Sequence, residues 1–87
     1  MLTEYIQRAM RHGKYEIMED GRFFGCIPAC QGAWGEGPTL EECRDDLQGA
    51  LESWILVGLR HGDPMPVIDG LDLNLSTTAY AEADQAP

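Results

Sequence analysis

The chain has 87 residues, which is one domain's worth and close to the lower limit for a self-sufficient core. Fifteen acidic residues against six basic ones give a formal net charge of −9, which argues against direct nucleic-acid binding, since that needs Lys and Arg to displace counterions from phosphates. No apolar run approaches the ~18 residues of a membrane span, no signal peptide is evident and the three cysteines are an odd number, so the expected setting is cytoplasmic with reduced thiols.

Residues 2–12 (LTEYIQRAMRH) read as a short helix with Leu2, Ile6, Ala9 and Met10 on one side and Gly13 closing it. A helix this short must dock through its apolar side to be stable. Residues 14–19 and 22–27 then flank Asp20-Gly21, which predicts a β-hairpin with a two-residue type I′ turn. That turn sets Glu19 opposite Arg22, Ile17 opposite Phe24 and Tyr15 opposite Cys26, so Tyr15, Ile17, Phe24 and Cys26 are expected to share the face that meets a helix. Residues 28–32 (PACQG) form a turn or crossing loop, and residues 33–36 allow one brief third strand. Trp34 in that strand reads as a core residue, with an exposed anchor as the alternative.

The longest element is predicted over residues 38–62, about 33 Å of helix. Thr39 stands at the N-cap with Glu42 three residues on, the capping-box spacing. Glu41, Glu42, Asp45 and Asp46 load the front, Arg60 and His61 the rear, and both placements complement the helix dipole. Gly62 and Pro64 mark the stop. Leu40, Cys43, Leu47, Ala50, Leu51, Trp54, Ile55 and Leu59 make one apolar stripe. Beyond it, Leu71, Leu73 and Leu75 alternate with Asp72 and Asn74, a candidate fourth strand or an arm that pairs with a neighbouring subunit. Residues 76–87 read as a disordered tail. The fold class expected is α+β: a small antiparallel sheet in β-β-β-α-β order with one long helix packed on it and a short extra N-terminal helix, as a single domain over residues 1–75.

Chemistry is harder to place. Cys26 and Cys30 are spaced C-x3-C, but four converging zinc ligands are not in evidence, so neither a metal nor another cofactor is expected. No Ser/His/Asp order, P-loop or GxGxxG pattern occurs. His12 and His61 each follow a basic residue and precede Gly, as capping residues do at helix C-termini. The carboxylates of the helix front could geometrically hold a metal, giving a nuclease reading, but compensation of the helix dipole on a solvated face outweighs it. The expectation is therefore no enzyme.

Tyr15-Glu16-Ile17, then Glu19-Asp20-Gly21, Ile27-Pro28, Gly32, and Gly37-Pro38-Thr39-Leu40-Glu41-Glu42-Cys43 together resemble the N-terminal domain of HicB-type antitoxins. The likeness covers about residues 14–60. It implies a partial ribonuclease-H-like fold without that enzyme's active site, and a role as antidote to a small basic toxin that cleaves mRNA. Three features depart from the family pattern: Cys43 stands where Ala is usual, the N-terminal helix is additional, and no basic patch follows the long helix, so DNA binding is not expected. On this reading Glu41 and Asp45, with Trp34 as an anchor and Glu36 as its polar rim, are the candidate toxin-binding residues, and Glu42 is committed to the cap. The competing reading is an orphan oligomeric interaction module with no toxin partner; under either, a homodimer or higher homo-oligomer is expected.

Overall fold

The computed structural model describes residues 2–73. Helix α1 (Leu2–Arg11) leads into strands β1 (Lys14–Ile17), β2 (Phe23–Cys26) and β3 (Trp34–Gly37), and helix α2 (Leu40–His61) follows. The sheet is antiparallel in the order β1-β2-β3. One face carries α2, and the other face has no layer upon it among the described residues.

The ends of α2 form as local side-chain chemistry dictates. Thr39 is extended, and its hydroxyl accepts the Glu42 backbone N–H at 3.1 Å. Gly62 takes the left-handed conformation at φ 73°, and the N–H groups of Gly62 and Asp63 return to the carbonyls of Leu59 and Gly58. Between the caps, Cys43, Leu47, Leu51, Ile55 and Gly58 are buried, while Ala50, Trp54 and Leu59 are half-buried and Leu40 is exposed. Fully burying Leu47, Leu51 and Ile55 contributes about 1.5–3 kcal/mol each.

The hairpin forms, but its register is one residue away from that expected of a two-residue turn. Type I′ needs positive φ at both central residues; Gly21 has it (φ 86°), and Asp20 does not. Instead the Gly21 N–H closes a turn onto the Met18 carbonyl at 2.9 Å, the Asp20 carboxylate accepts the Arg22 N–H at 3.0 Å, and Met18 bonds Arg22 across a three-residue loop. Pairing is therefore Tyr15 with Gly25, Glu16 with Phe24 and Ile17 with Phe23. A slip of one residue exchanges the faces. Phe23 and Gly25 join Tyr15 and Ile17 on the helix side, whereas Phe24 and Cys26 point to the open side, contrary to expectation. The expected Glu19–Arg22 pair is lost, and the Arg22 guanidinium lies 4.0 Å from Glu36 on β3 instead.

The helix side of β3 is made of Gly35 and Gly37, paired with Gly25 and Phe23 on β2. A Cβ at Gly35 would stand 2.4 Å from the Leu47 backbone nitrogen, and one at Gly37 2.7 Å from that of Cys43. The backbone of α2 thus rests directly on the backbone of β3, and the Cys43 thiol reaches the Gly35 carbonyl at 3.6 Å.

No strand follows α2 among the described residues. Residues 63–73 double back along the helices, burying Met65, Ile68 and Leu73. Leu71 belongs to a tight reversal in which Ile68 and Leu71 exchange both backbone bonds around Asp69 and Gly70, at φ 49° and 80°. That geometry is incompatible with an extended run through residue 71; residues 74–75 of the expected strand, and the expected tail, lie outside the described residues. Helix α1 closes the core with Tyr5, Ala9 and Met10, and the Tyr5 hydroxyl donates to the Pro66 carbonyl at 2.7 Å. Tyr5 is completely buried although the apolar side read from the sequence omitted it, and Leu2 is exposed.

The glycine floor makes a two-sided prediction. Gly35→Ala should cost about 3 kcal/mol, because the helix backbone would have to lift. Gly49→Ala, in the same helix with nothing within 4 Å of the added Cβ, should stabilise by about 0.5–1 kcal/mol. Urea unfolding of the two variants reads both signs.

Candidate functional site

The four residues singled out from sequence separate into two pairs. Trp34 and Glu36 alternate onto the open side of the sheet. Glu41 and Asp45 lie one helical turn apart on the solvent side of α2, in the other layer. They do not form one continuous patch around Trp34.

On the open side, Trp34 is 54% exposed, which corrects its reading as a core residue. Its ring stacks on Phe24 with centroids 6.0 Å apart and planes at 24°. Cys26 lies opposite Trp34 in the ladder, so Phe24, Cys26 and Trp34 make an apolar strip. Phe24 was missed as a surface residue because the strip depends on the hairpin register.

On α2 the carboxylates divide by duty. Asp46 accepts the Glu36 backbone N–H at 3.0 Å and so ties the helix to the outer edge of β3. Glu42 gives only its backbone N–H to the Thr39 hydroxyl; its exposed carboxylate makes no hydrogen bond or ion pair among the described residues, so the reciprocal half of the expected capping box is not formed. Glu41 and Asp45 make no hydrogen bond or ion pair among the described residues, and both are exposed. No group of three or more His, Cys, Asp or Glu side chains able to hold a metal ion occurs among the described residues.

His12, Cys30 and Cys43 serve the scaffold. His12 does not cap α1: its Nε2 lies 2.7 Å from the Asp69 carboxylate, which also stands 4.0 Å from Arg8, so this cluster pins the 68–71 reversal to α1. Cys30 is buried, and burial pushes its thiol from an ordinary 9.0 to about 11. Burial raises the Cys43 thiol too, helped by the charges of Asp46 and Glu36. Such thiols are poor nucleophiles at neutral pH. The Tyr15 hydroxyl is buried without a hydrogen-bond partner among the described residues; burial raises its pKa, against the opposing charge of Arg44. A groove of about 450 Å³ runs between α1 and α2, where Arg11, Arg44 and Glu52 face Ile6 and Met10, and its lining holds no histidine or thiol. No described helix is long and apolar enough to cross a membrane.

The raised thiols predict a stability loss at alkaline pH. Below pH 9 Cys30 is protonated whether folded or not; between 9 and about 11 the unfolded chain releases the proton that the folded chain keeps. Stability therefore falls as pH rises through this window. Urea midpoints measured at neutral pH and across it should decline, and Cys30→Ala should show a shallower decline than the parent.

The UPF0150-like family pattern matches residues 4–66, and so spans α1, the hairpin, β3, α2 and the start of the return segment. Among curated proteins, none matches the sequence. Among solved structures, the crystal structure of TTHA0281 from Thermus thermophilus is similar, with 38% identity and a TM-score of 0.77 over 82% of this chain and 89% of that one. The similarity takes in both layers, which is why the resemblance carried by residues 14–60 holds at the level of the fold. The chain belongs to the UPF0150-like family of HicB-like proteins with a ribonuclease-H-like fold.

Proposed function

We propose that this protein is a non-enzymatic, HicB-like antitoxin that binds and neutralises a small basic toxin which cleaves RNA. Membership of a HicB-like family supplies the class. The observation that carries the reading to a surface is the front of α2: the Asp46 carboxylate holds the sheet edge, while those of Glu41, Glu42 and Asp45 are exposed and hold no charge or donor among the described residues. Unneutralised carboxylates on one helix front, on a chain of net charge −9, suit a partner whose active surface must be basic to hold RNA. Covering that surface with a rigid helix blocks substrate without any reaction. The strip of Phe24, Cys26 and Trp34, rimmed by Glu36, is a second contact on the opposite layer, and a toxin that reaches both must wrap around the β3 edge.

The test begins with the product of a short neighbouring reading frame encoding a basic protein of about 60–80 residues, the size of a minimal single domain. The two should co-purify. Glu41→Lys with Asp45→Lys should weaken the complex at least tenfold, since each reversal replaces an attraction by a repulsion. Trp34→Ala tests the open face separately. Binding untouched by the double reversal removes the helix surface from the proposal. Absence of such a frame favours the orphan oligomeric module. RNA cleavage by the purified chain itself would exclude both readings.

A further inference from the structure

The sheet has two edges, and they are finished differently. Pairing between β2 and β3 leaves the backbone groups of Trp34 and Glu36 facing outward, and Asp46 occupies the Glu36 N–H. A hydrogen-bonded carboxylate at that position obstructs the approach of another strand, a device that protects edges. The β1 edge has no counterpart. Met18 bonds Arg22, so by antiparallel alternation Lys14 and Glu16 spend their backbone bonds on β2, while Tyr15 and Ile17 turn theirs outward. Among the described residues nothing bonds to those outward groups, and the Ile17 side chain is 69% exposed.

We infer that the β1 edge pairs with the β1 edge of a second copy of this chain, antiparallel about a two-fold axis, giving a continuous six-stranded sheet. Charge fixes both the occupant and the register. Outward-facing residues must meet outward-facing residues, which leaves three arrangements: Tyr15 opposite its own copy, Tyr15 opposite Ile17, or Ile17 opposite its own copy. The second sets Glu16 directly against Glu16, a like-charge pair that destabilises. The third sets Glu16 opposite Met18 and carries Lys14 past the end of the second copy's strand, to Asp20 in the hairpin loop, so no charge pair forms within the ladder. The first sets Lys14 opposite the second copy's Glu16, twice by symmetry, and Ile17 opposite the second copy's Gly13, where no side chain obstructs the exposed isoleucine. The sequence Lys14-Tyr15-Glu16 is thus complementary to itself read in reverse, the condition an isologous interface imposes. Lys14 would deter an unrelated apolar strand at this edge, but it attracts its own copy. The pairing leaves α2, Glu41 and Asp45 uncovered, so it is independent of toxin binding.

Sedimentation equilibrium of the full chain at micromolar concentrations should give twice the 9.6 kDa chain mass. Glu16→Lys should raise the dimer dissociation constant about tenfold by placing Lys against Lys at both contacts. Combining it with Lys14→Glu restores opposite charges in this register alone and should recover the dimer. Ile17→Pro removes an outward N–H that β2 does not use, so the variant should keep its circular dichroism and sediment as a monomer. A monomeric parent would overturn the proposal, as would a dimer indifferent to Ile17→Pro or a charge swap that fails to rescue. A monomer that forms a toxin complex sensitive to Ile17→Pro would assign the edge to the toxin instead.

Discussion

Helix α2 lies main chain against main chain on β3 at Gly35 and Gly37, and the rest of the molecule is arranged around that contact. Gly35 and Gly37 remove the two methylene-sized groups that would hold the layers apart, and Leu47 and Cys43 settle into the space. Because the helix sits so low, the Asp46 carboxylate can reach over the side of the sheet to the Glu36 N–H. The same closeness gives a two-layer fold of this size an apolar interior, in which Leu47, Leu51 and Ile55 cluster with Ile27, Cys30 and Ala33.

Covering one face so closely leaves the other without a layer among the described residues. On the open side Phe24 and Trp34 stack with each other, a partial remedy for lacking a second layer. The two surfaces available for recognition are therefore unlike in character: a flat aromatic strip on the strands and a charged ridge on the helix. A HicB-like protein that presents both can discriminate by shape on one side and by field on the other.

What could be read from the chain follows the range of the forces involved. The caps of α2 were legible because Thr39 and Gly62 act on backbone groups within four residues of themselves. The hairpin was legible as a hairpin, but not in register. Asp-Gly occurs twice, and only at Asp69-Gly70 do both residues take positive φ; at Asp20-Gly21 the aspartate stays right-handed. The left-handed form costs a non-glycine residue about 1–2 kcal/mol, small enough for tertiary context to decide. The face of β2 was misassigned through the same slip: Tyr15 and Ile17 lie on the helix side as expected, but their partners there are Gly25 and Phe23. Glycines give no hydrophobic signal, so apolar patterning does not mark the side that α2 approaches most closely. Trp34 reads as core on its size and apolarity alone, and only the pairing of β3 with β2 sets it on the open side. Of the candidate site, the exposure of Glu41 and Asp45 was legible from helical periodicity; the separation of Trp34 and Glu36 into the opposite layer required the register.

The bond from the Tyr5 hydroxyl to the Pro66 carbonyl joins residues 61 apart in sequence. Helix α1 leaves the ribosome well before groups that bury it, among them Met65, Ile68 and Leu73, are synthesised. During translation α1 must wait as an undocked segment too short to hold its own helix. The hairpin and α2 draw on contacts nearer in sequence, so they do not depend on that long-range closure. In a growing chain, then, the acidic helix that would meet a toxin is completed before the domain that carries it is closed.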